Sequence, residues 1–509
     1  MPLPEWTDQL AASAMLGTER AGQLPLTDPA ASLGPIIASI AAAPAEDALL
    51  SAAAIATLYT KAGQLAPTIT ALPPAAPPLD KPPVSATSSQ HLALILNGHY
   101  PEVLPEYLDL LAASGRSPPA RHLPALLAIA LQKEHLRPRI VSTLGSRGRW
   151  LTAQNPEWAN LTALPEIEHY HTGTRSQRLA LLERLRNTDP AQSRSLVAAT
   201  WSEEQPEDRA AFARTFATNL SMEDESFLES ALDDRRKEVR AVAARLLAAL
   251  PESRFAGRMT ARLAPLVAVN KLAFGTSKIS ISVPESHDPS MARDGIDAKS
   301  SRPPLGDKAA RLAIIIAATP LSFWPATLGL DAAALLKRLS ALEWEEAVVL
   351  GLATGAVWQK DAALAAAVLQ AAALELCEKH YRLIAPLFPE LMALLSAAQR
   401  EAALAPLLAT RDLFDGGALV ELLILAEHSW SKSFSGQFLP FLERLAQPAT
   451  PHYAALQALV KSFPFHVHPG ILPTITARLS ASEPTHSEHL DQFLAILHFR
   501  QTMHKELSS

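Results

Sequence analysis

From His91 to about Leu266 the chain is a succession of apolar-periodic segments of roughly 10 to 16 residues, each closed within a few positions by Pro, Gly or Asp. This punctuation limits the length of any helix, and strand-like alternation is nearly absent. Short amphipathic helices cannot bury an apolar face alone, so they must stack on their neighbours. Hydrophobic residues make up 48% of the 509, mostly Ala and Leu, while aromatics are held to 6%, a balance that favours helix over sheet. The predicted class is all-α, in two lobes, because this length exceeds the usual size of one compact core.

The clearest hairpin spans residues 225–253. Phe227, Leu228, Ala231 and Leu232 form one apolar stripe, Val239, Val242, Ala243, Leu246, Leu247 and Leu250 form a second, and Pro251 stops the second helix. Between them runs Leu232-Asp-Asp-Arg-Arg-Lys-Glu-Val-Arg240, which resembles the HEAT repeat, with Asp234 in the turn and Val239-Arg240 opening the second helix. Such an Asp caps backbone N–H groups and pairs with an Arg, while the Val enters the seam between hairpins. Segments 176–187, 190–200 and 207–220 have the lengths of neighbouring helices without the signature. The expected architecture is a HEAT-like α-solenoid or helical-repeat array with a degenerate period.

Along the chain, residues 1–65 are expected to be an N-terminal helical segment. It holds a first helix at 5–16, with Trp6, Leu10 and Ala14 on one face and Gly17 as terminator, and a second at 46–63. Pro67, Pro73, Pro74, Pro77, Pro78, Pro82 and Pro83 make 66–89 a stiff, extended linker. A HEAT-like lobe at 90–266 is followed by a non-helical insertion at 267–307, where Ile279, Ile281 and Val283 alternate before Pro284, Asp288-Pro289, Asp294-Gly295 and Pro303-Pro304. A short hairpin and a long loop are predicted there, and a loop of that length is the first place to look for a binding element. Helices resume in a C-terminal lobe at 308–509, through 308–318, 331–342, 344–356 and 361–379, where Trp324, Trp344, Trp358 and Trp430 occur singly, as core fillers do.

Net charge is −6 and the isoelectric point about 6.3, with Lys and Arg scattered, so nucleic acid is not an expected partner. A single cysteine, Cys377, excludes an intrachain disulfide and fits a reducing, cytoplasmic compartment. The N-terminus carries no positive charge before its first apolar stretch. Runs 312–324 and 362–377 are too short, Pro-interrupted or Ala-rich to span a bilayer that needs about 20 apolar residues. Neither phosphate-binding glycine string occurs, nor Gly-x-Ser-x-Gly, nor His-Glu-x-x-His, so no catalytic or cofactor residue is assigned and an enzyme is not expected.

His466-x-His468 and His486-x-x-His489, with His498 and His504 nearby, imitate metal ligands but read as solvated surface, and no metal is expected. Asp288 to Gly295 fails as a calcium loop, because Ser290, Ala292 and Ser301 fall at ligand positions. Residues 145–158 gather Arg147, Arg149, Trp150, Asn155 and Trp158 in a turn-rich stretch. Such residues either anchor an inter-helix loop and cap helix C-termini, or form a recognition loop, since Trp and Arg are enriched at interface hot spots.

Leu16-Gly-Thr-Glu-Arg20, residues 145–158, residues 227–240, Arg293-Asp-Gly-Ile296 and Pro320-Leu-Ser-Phe-Trp324, in this order, resemble an uncharacterised bacterial domain-of-unknown-function family that spans the whole chain. The resemblance implies genomic neighbours: MoxR-type AAA+ ATPases, von Willebrand factor A domain proteins and a SWIM zinc-finger protein. The leading expectation is a cytoplasmic scaffold or adaptor that binds a protein, with an AAA+ ATPase or a von Willebrand factor A protein as partner. One rival is a nucleic-acid binder with a basic stripe including Arg147, Arg149, Arg235, Arg236 and Arg240. The other is an enzyme with a polar pocket between the lobes near Arg293, Asp294 and Trp324.

Overall fold

The computed structural model describes residues 3–20, 24–26, 33–63, 74–162, 167–271, 277–299, 305–338, 342–374, 378–409, 418–445, 458, 461–481 and 488–508. Cys377, His486, Ser301, Pro67, Pro73 and Pro303-Pro304 lie outside the described residues. Helix accounts for 73% of the structure and strand for 2%, which makes the fold all-α. No described helix is long and apolar enough to cross a membrane.

The chain divides into two compact units, Met1–Ala75 and Ala76–Ser509. The first holds helices Leu3–Leu16, Gly34–Ile40 and Ala45–Gly63. Its core is small: Trp6, Leu10, Leu33, Ile37, Leu49, Ala52 and Ala56. The Trp6 indole N–H donates to the carbonyl of Pro25 (2.6 Å), so a fully buried ring keeps its polar edge satisfied. Gly17, at φ +81°, takes the left-handed position that ends the first helix.

In the second unit the linker expected at 66–89 is already packed from residue 78 onward. Ser117 N–H donates to the Pro82 carbonyl (2.9 Å), Val84 N–H donates to the Ser117 carbonyl (3.1 Å), and Val84 is buried in the adjoining core. Proline imposes an extended backbone but leaves its carbonyl free to accept, so the Pro-rich stretch serves as an edge segment. Ser85 then caps the helix Ala86–Leu96 through Ser88 N–H.

The two expected lobes are also redrawn. One core contains residues 84–161, and a second runs from Tyr170 to Leu497 without a break at 267–307. Strands Val267–Lys271 and Ser277–Ile281 pair antiparallel, with Val267 opposite Ile281 and Val269 opposite Ile279. Ile279, Ile281, Val283, Met291, Ile296 and Leu305 all enter the larger core, so the insertion is packed against the helices rather than looped away from them. The C-terminal helix Glu488–Ser508 joins the cores: Leu490, Phe493 and Leu497 belong to one, Met503 and Leu507 to the other.

From Arg175 to Leu263 the helices are short, and three of them begin on a side-chain cap. Thr174 and Gln177 form a capping box, Asp189 accepts from Gln192 N–H, and Ser253 accepts from Ala256 N–H. Arginine–carboxylate pairs cross between them at sequence separations from 25 residues, for Arg209 and Asp234, to 38, for Arg186 and Asp224. The tightest packing lies deeper, between helices Asp307–Ala318 and Glu345–Trp358. A Cβ on Gly351 would stand 2.7 Å from Ile316 Cβ and 2.9 Å from the Ala313 carbonyl; one on Gly355 would stand 3.3 Å from the Ala317 carbonyl. Two glycines four residues apart therefore let the helix backbones approach closely.

Gly351→Ala is expected to destabilise the unit by about 1–3 kcal/mol through overpacking against Ile316. Gly355→Ala, with a few tenths of an ångström more room, should cost less. Urea unfolding of both variants measures the order, and an equal or reversed cost would contradict this packing.

Candidate functional site

Residues 145–158 form two helices, Gly145–Gln154 and Pro156–Thr162, rather than the expected loop. Gly145 makes the joint possible. It sits at φ +63°, and a Cβ there would meet Asp80 Oδ1 at 2.8 Å. Asp80 accepts from Ser146 N–H (2.8 Å) and from Arg149 (3.0 Å), and the Ser146 bond is the main reason its carboxyl lies below the usual range. Asn155 caps the second helix by accepting from Glu157 N–H (3.0 Å). Trp158 packs on the smaller core, and Trp150 and Arg147 are half-buried. The segment is a packed joint in which Arg149 already has its counter-ion.

The signature residues of the hairpin come together across helices. Asp234 accepts two bonds from Arg209 (2.7 and 3.3 Å) and one from Arg236 N–H (2.8 Å). Val239 is fully buried, and the Arg240 guanidinium donates to the carbonyls of Asp234 (2.8 Å) and Arg235 (3.2 Å).

Arg293 and Asp294 anchor a larger cluster at the insertion. Asp288 caps the helix Pro289–Arg293, and Gly295, at φ +78°, turns the chain against Ala244. The Asp294 carboxylate is 1% exposed and accepts from Arg258 (2.8 and 3.1 Å) and Arg262 (2.6 Å). Arg293 turns the other way, onto Asp233 (2.6 and 3.0 Å) and Glu229 (3.3 Å), and Arg258 also reaches Glu229 (3.0 Å). The hydrogen bonds to Asp233 raise the pKa of Arg293 and lower that of Asp233. Three guanidiniums thus face three carboxylates, and the cluster clasps the insertion to helices Glu225–Ala231 and Arg254–Leu263. Trp324 is not part of it: the ring is fully buried in the core beside Phe323, a packing role. Beside the clasp, a cavity of about 200 Å³ opens between Asp294 and Trp358.

The histidine-rich C-terminal region belongs to a second network, centred on Glu106. Arg500, fully buried, donates two bonds to the Glu106 carboxylate (both 2.6 Å) and one each to the carbonyls of Pro464 and Val467 (2.6 Å). His504 Nε2 lies 2.7 Å from Glu106 Oε1, and His466 Nδ1 donates to the His428 carbonyl (3.1 Å). Burial alone would raise the Glu106 pKa, but the hydrogen bonds from Arg500 and His504 outweigh it and hold the value at about 2. Burial pushes His466 down to about 4. The sequence reading missed Glu106 and Arg500, which are 394 residues apart and meet only in the fold.

Residues 9–507 match the family of unknown function DUF5691, and the chain belongs to that family. No curated protein matches it.

Asp294→Asn would leave Arg262 without a carboxylate and Arg258 with Glu229 alone, and should destabilise the fold by about 3 kcal/mol, measured by urea unfolding. The acid response follows from the other network. The unfolded chain binds a proton at His466 from about pH 6.5, whereas the folded chain does so only near 4, so this group removes stability as pH falls between those values. Glu106 contributes stability that is complete above about 4.5 and is lost as pH falls towards 2. Melting temperatures should therefore decline from about pH 6.5 downward, and in Glu106→Gln the slope below about 4.5 should flatten; an unchanged slope would remove Glu106 from this account.

Proposed function

We propose that this chain is a non-enzymatic scaffold, an array of HEAT-like hairpins whose N-terminal unit grips a protein partner. The observation that carries the binding role lies on helix Ala45–Gly63. The helix buries Leu49, Ala52 and Ala56 and leaves Leu50, Ala54 and Leu58 outside at four-residue steps, with Leu50 69% and Leu58 66% exposed. Met15 (91%), Leu16 (62%) and Ile36 (49%) are exposed on the other two helices of the same unit. A helix with a second apolar stripe beside its buried one presents the surface by which helices dock in grooves.

The hairpin reading draws support from the arginine–carboxylate pairs between successive helices and from the positions of Asp234, Val239 and Arg240. The proteins this chain resembles tend to be encoded beside MoxR-type AAA+ ATPases, von Willebrand factor A domain proteins and a SWIM zinc-finger protein. The partner we propose is accordingly an AAA+ ATPase or a von Willebrand factor A protein in a bacterial cytoplasm. Charge argues against the nucleic-acid reading: Arg149 is held by Asp80, and Arg240 is committed to two carbonyls.

Affinity purification of the tagged full-length protein from its host, beside a Leu50→Asp/Leu58→Asp variant, tests the proposal. Wild type should recover the ATPase or von Willebrand factor A protein stoichiometrically. The variant should lose it by about tenfold or more with an unchanged melting temperature, because both positions face solvent. A partner retained by the variant, or wild type recovered with nothing bound, would overturn the proposal.

A further inference from the structure

The two fully buried arginines among the described residues follow one rule. Arg186 and Arg500 each grip a carboxylate with two nitrogens and direct the remaining N–H groups to carbonyls. Arg311 departs from it. It lies within the apolar helix Asp307–Ala318 and is 7% exposed, and among the described residues its one hydrogen bond runs from Nη1 to the Ala298 carbonyl (3.1 Å). Its Nε is buried without a partner, and among the described residues no carboxylate forms an ion pair with it. Arginine cannot escape burial by losing its proton. An uncompensated cation in an apolar interior is strongly unfavourable, and none of the described residues supplies its counter-charge.

The space for a counter-ion is present. Arg311 lines the cavity of about 200 Å³ beside the clasp, with Phe255, Ile314, Leu350 and Trp358 as apolar walls and Thr354, itself 7% exposed, adding a hydroxyl. Asp294 also lines it, but Arg258 and Arg262 already hold that carboxylate. Asp297 and Lys299 line it as exposed residues, and Asp297 makes no ion pair with Arg311 among the described residues.

We propose that this cavity is a binding site for a small monocarboxylate with an apolar body. The ligand's two oxygens face the Arg311 fork and its body lies against Phe255, Leu350 and Trp358. One buried guanidinium matches a single negative charge and the planar geometry of a carboxylate. A phosphate dianion would need a second buried cation, and Lys299 is exposed. An apolar cavity of about 150 Å³ accepts benzene, so the space here suits one ring or a short alkyl chain with its carboxylate.

Calorimetry on the full-length protein tests this with benzoate and hexanoate, against benzamide, hexanol and inorganic phosphate. At least one acid should bind, its neutral counterpart should bind about tenfold or more weakly, and phosphate should not compete. Arg311→Met keeps the apolar stem and removes the charge; it should melt at or above the wild-type temperature and lose the preference for acid over neutral analogue. Ala241→Phe, on an exposed residue of the cavity wall, should block the acid without touching Arg311. Binding of neither acid, equal binding of acid and neutral analogue, or a preference that survives Arg311→Met would overturn the site. Should Arg311→Met fail to fold, Ala241→Phe decides: retained binding overturns the proposal and lost binding supports it.

Discussion

The guanidinium–carboxylate pair between successive helices is the interaction on which the rest of this structure depends. Arg186 shows the form most completely. Both it and Asp224 are fully buried, two of its nitrogens hold the carboxylate at 2.8 and 3.0 Å, and the carbonyls of Thr218 and Asn219 accept further bonds at 2.9 and 2.7 Å. Arg194 reaches the same carboxylate at 2.8 Å. Burying two charges is costly, and the pair repays the cost only because nearly every donor is met. Its larger effect is on register: an Ala/Leu-rich helix face can slide against its neighbour at little loss, whereas a buried fork admits one alignment. Arg178 with Glu204, Arg209 with Asp234, and Arg258 with Glu229 and Asp294 repeat the device along the chain.

The C-terminal helix turns this local series into a cooperative unit. It inserts Phe493 and Leu497 into one core and Met503 and Leu507 into the other, and Arg500 between them locks onto Glu106. A simple stack has contacts only between neighbours and can open from either end. Here the C-terminal helix closes the smaller core beside helices Ala86–Leu96 and Leu104–Ala113, so fraying at the C-terminus would open that core as well.

Much of the fold was legible in the sequence because it is written in short-range signals. The Asp234 turn, the burial of Val239 and the stripe from Leu228 to Leu232 follow from caps and helical periodicity over a few residues. What escaped the reading depends on distant partners. Gly145 and Gly148 suggested a loop, yet they begin and continue a helix, because Gly145 leaves room for Asp80, a residue on a Pro-rich segment that looked like free linker. Alternation at Ile279, Ile281 and Val283 indicated the strands, but only the fold shows that Met291, Ile296 and Leu305 follow them into the core. Of the candidate residues, Arg293 and Asp294 do meet in one cluster, while Trp324 was placed with them at an expected junction of the lobes, and nearness along the chain to such a junction carries no distance. Arg311 drew no expectation, since one cation in an apolar helix looks like a surface position until the opposite wall is known.

The same pairing that sets the register determines where recognition can occur. Arg178, Arg186, Arg194, Arg209, Arg258, Arg262 and Arg293 are each matched by a carboxylate within the chain, so their charge contributes little to the field at a partner's surface. The two proposed sites lie outside this pairing. The apolar stripe of Leu50, Ala54 and Leu58 is uncovered hydrophobic surface, and Arg311 is a buried cation without a carboxylate partner among the described residues, beside the apolar walls of the cavity. The proposed protein partner would contribute a hydrophobic face to the first, and the proposed ligand a single negative charge to the second.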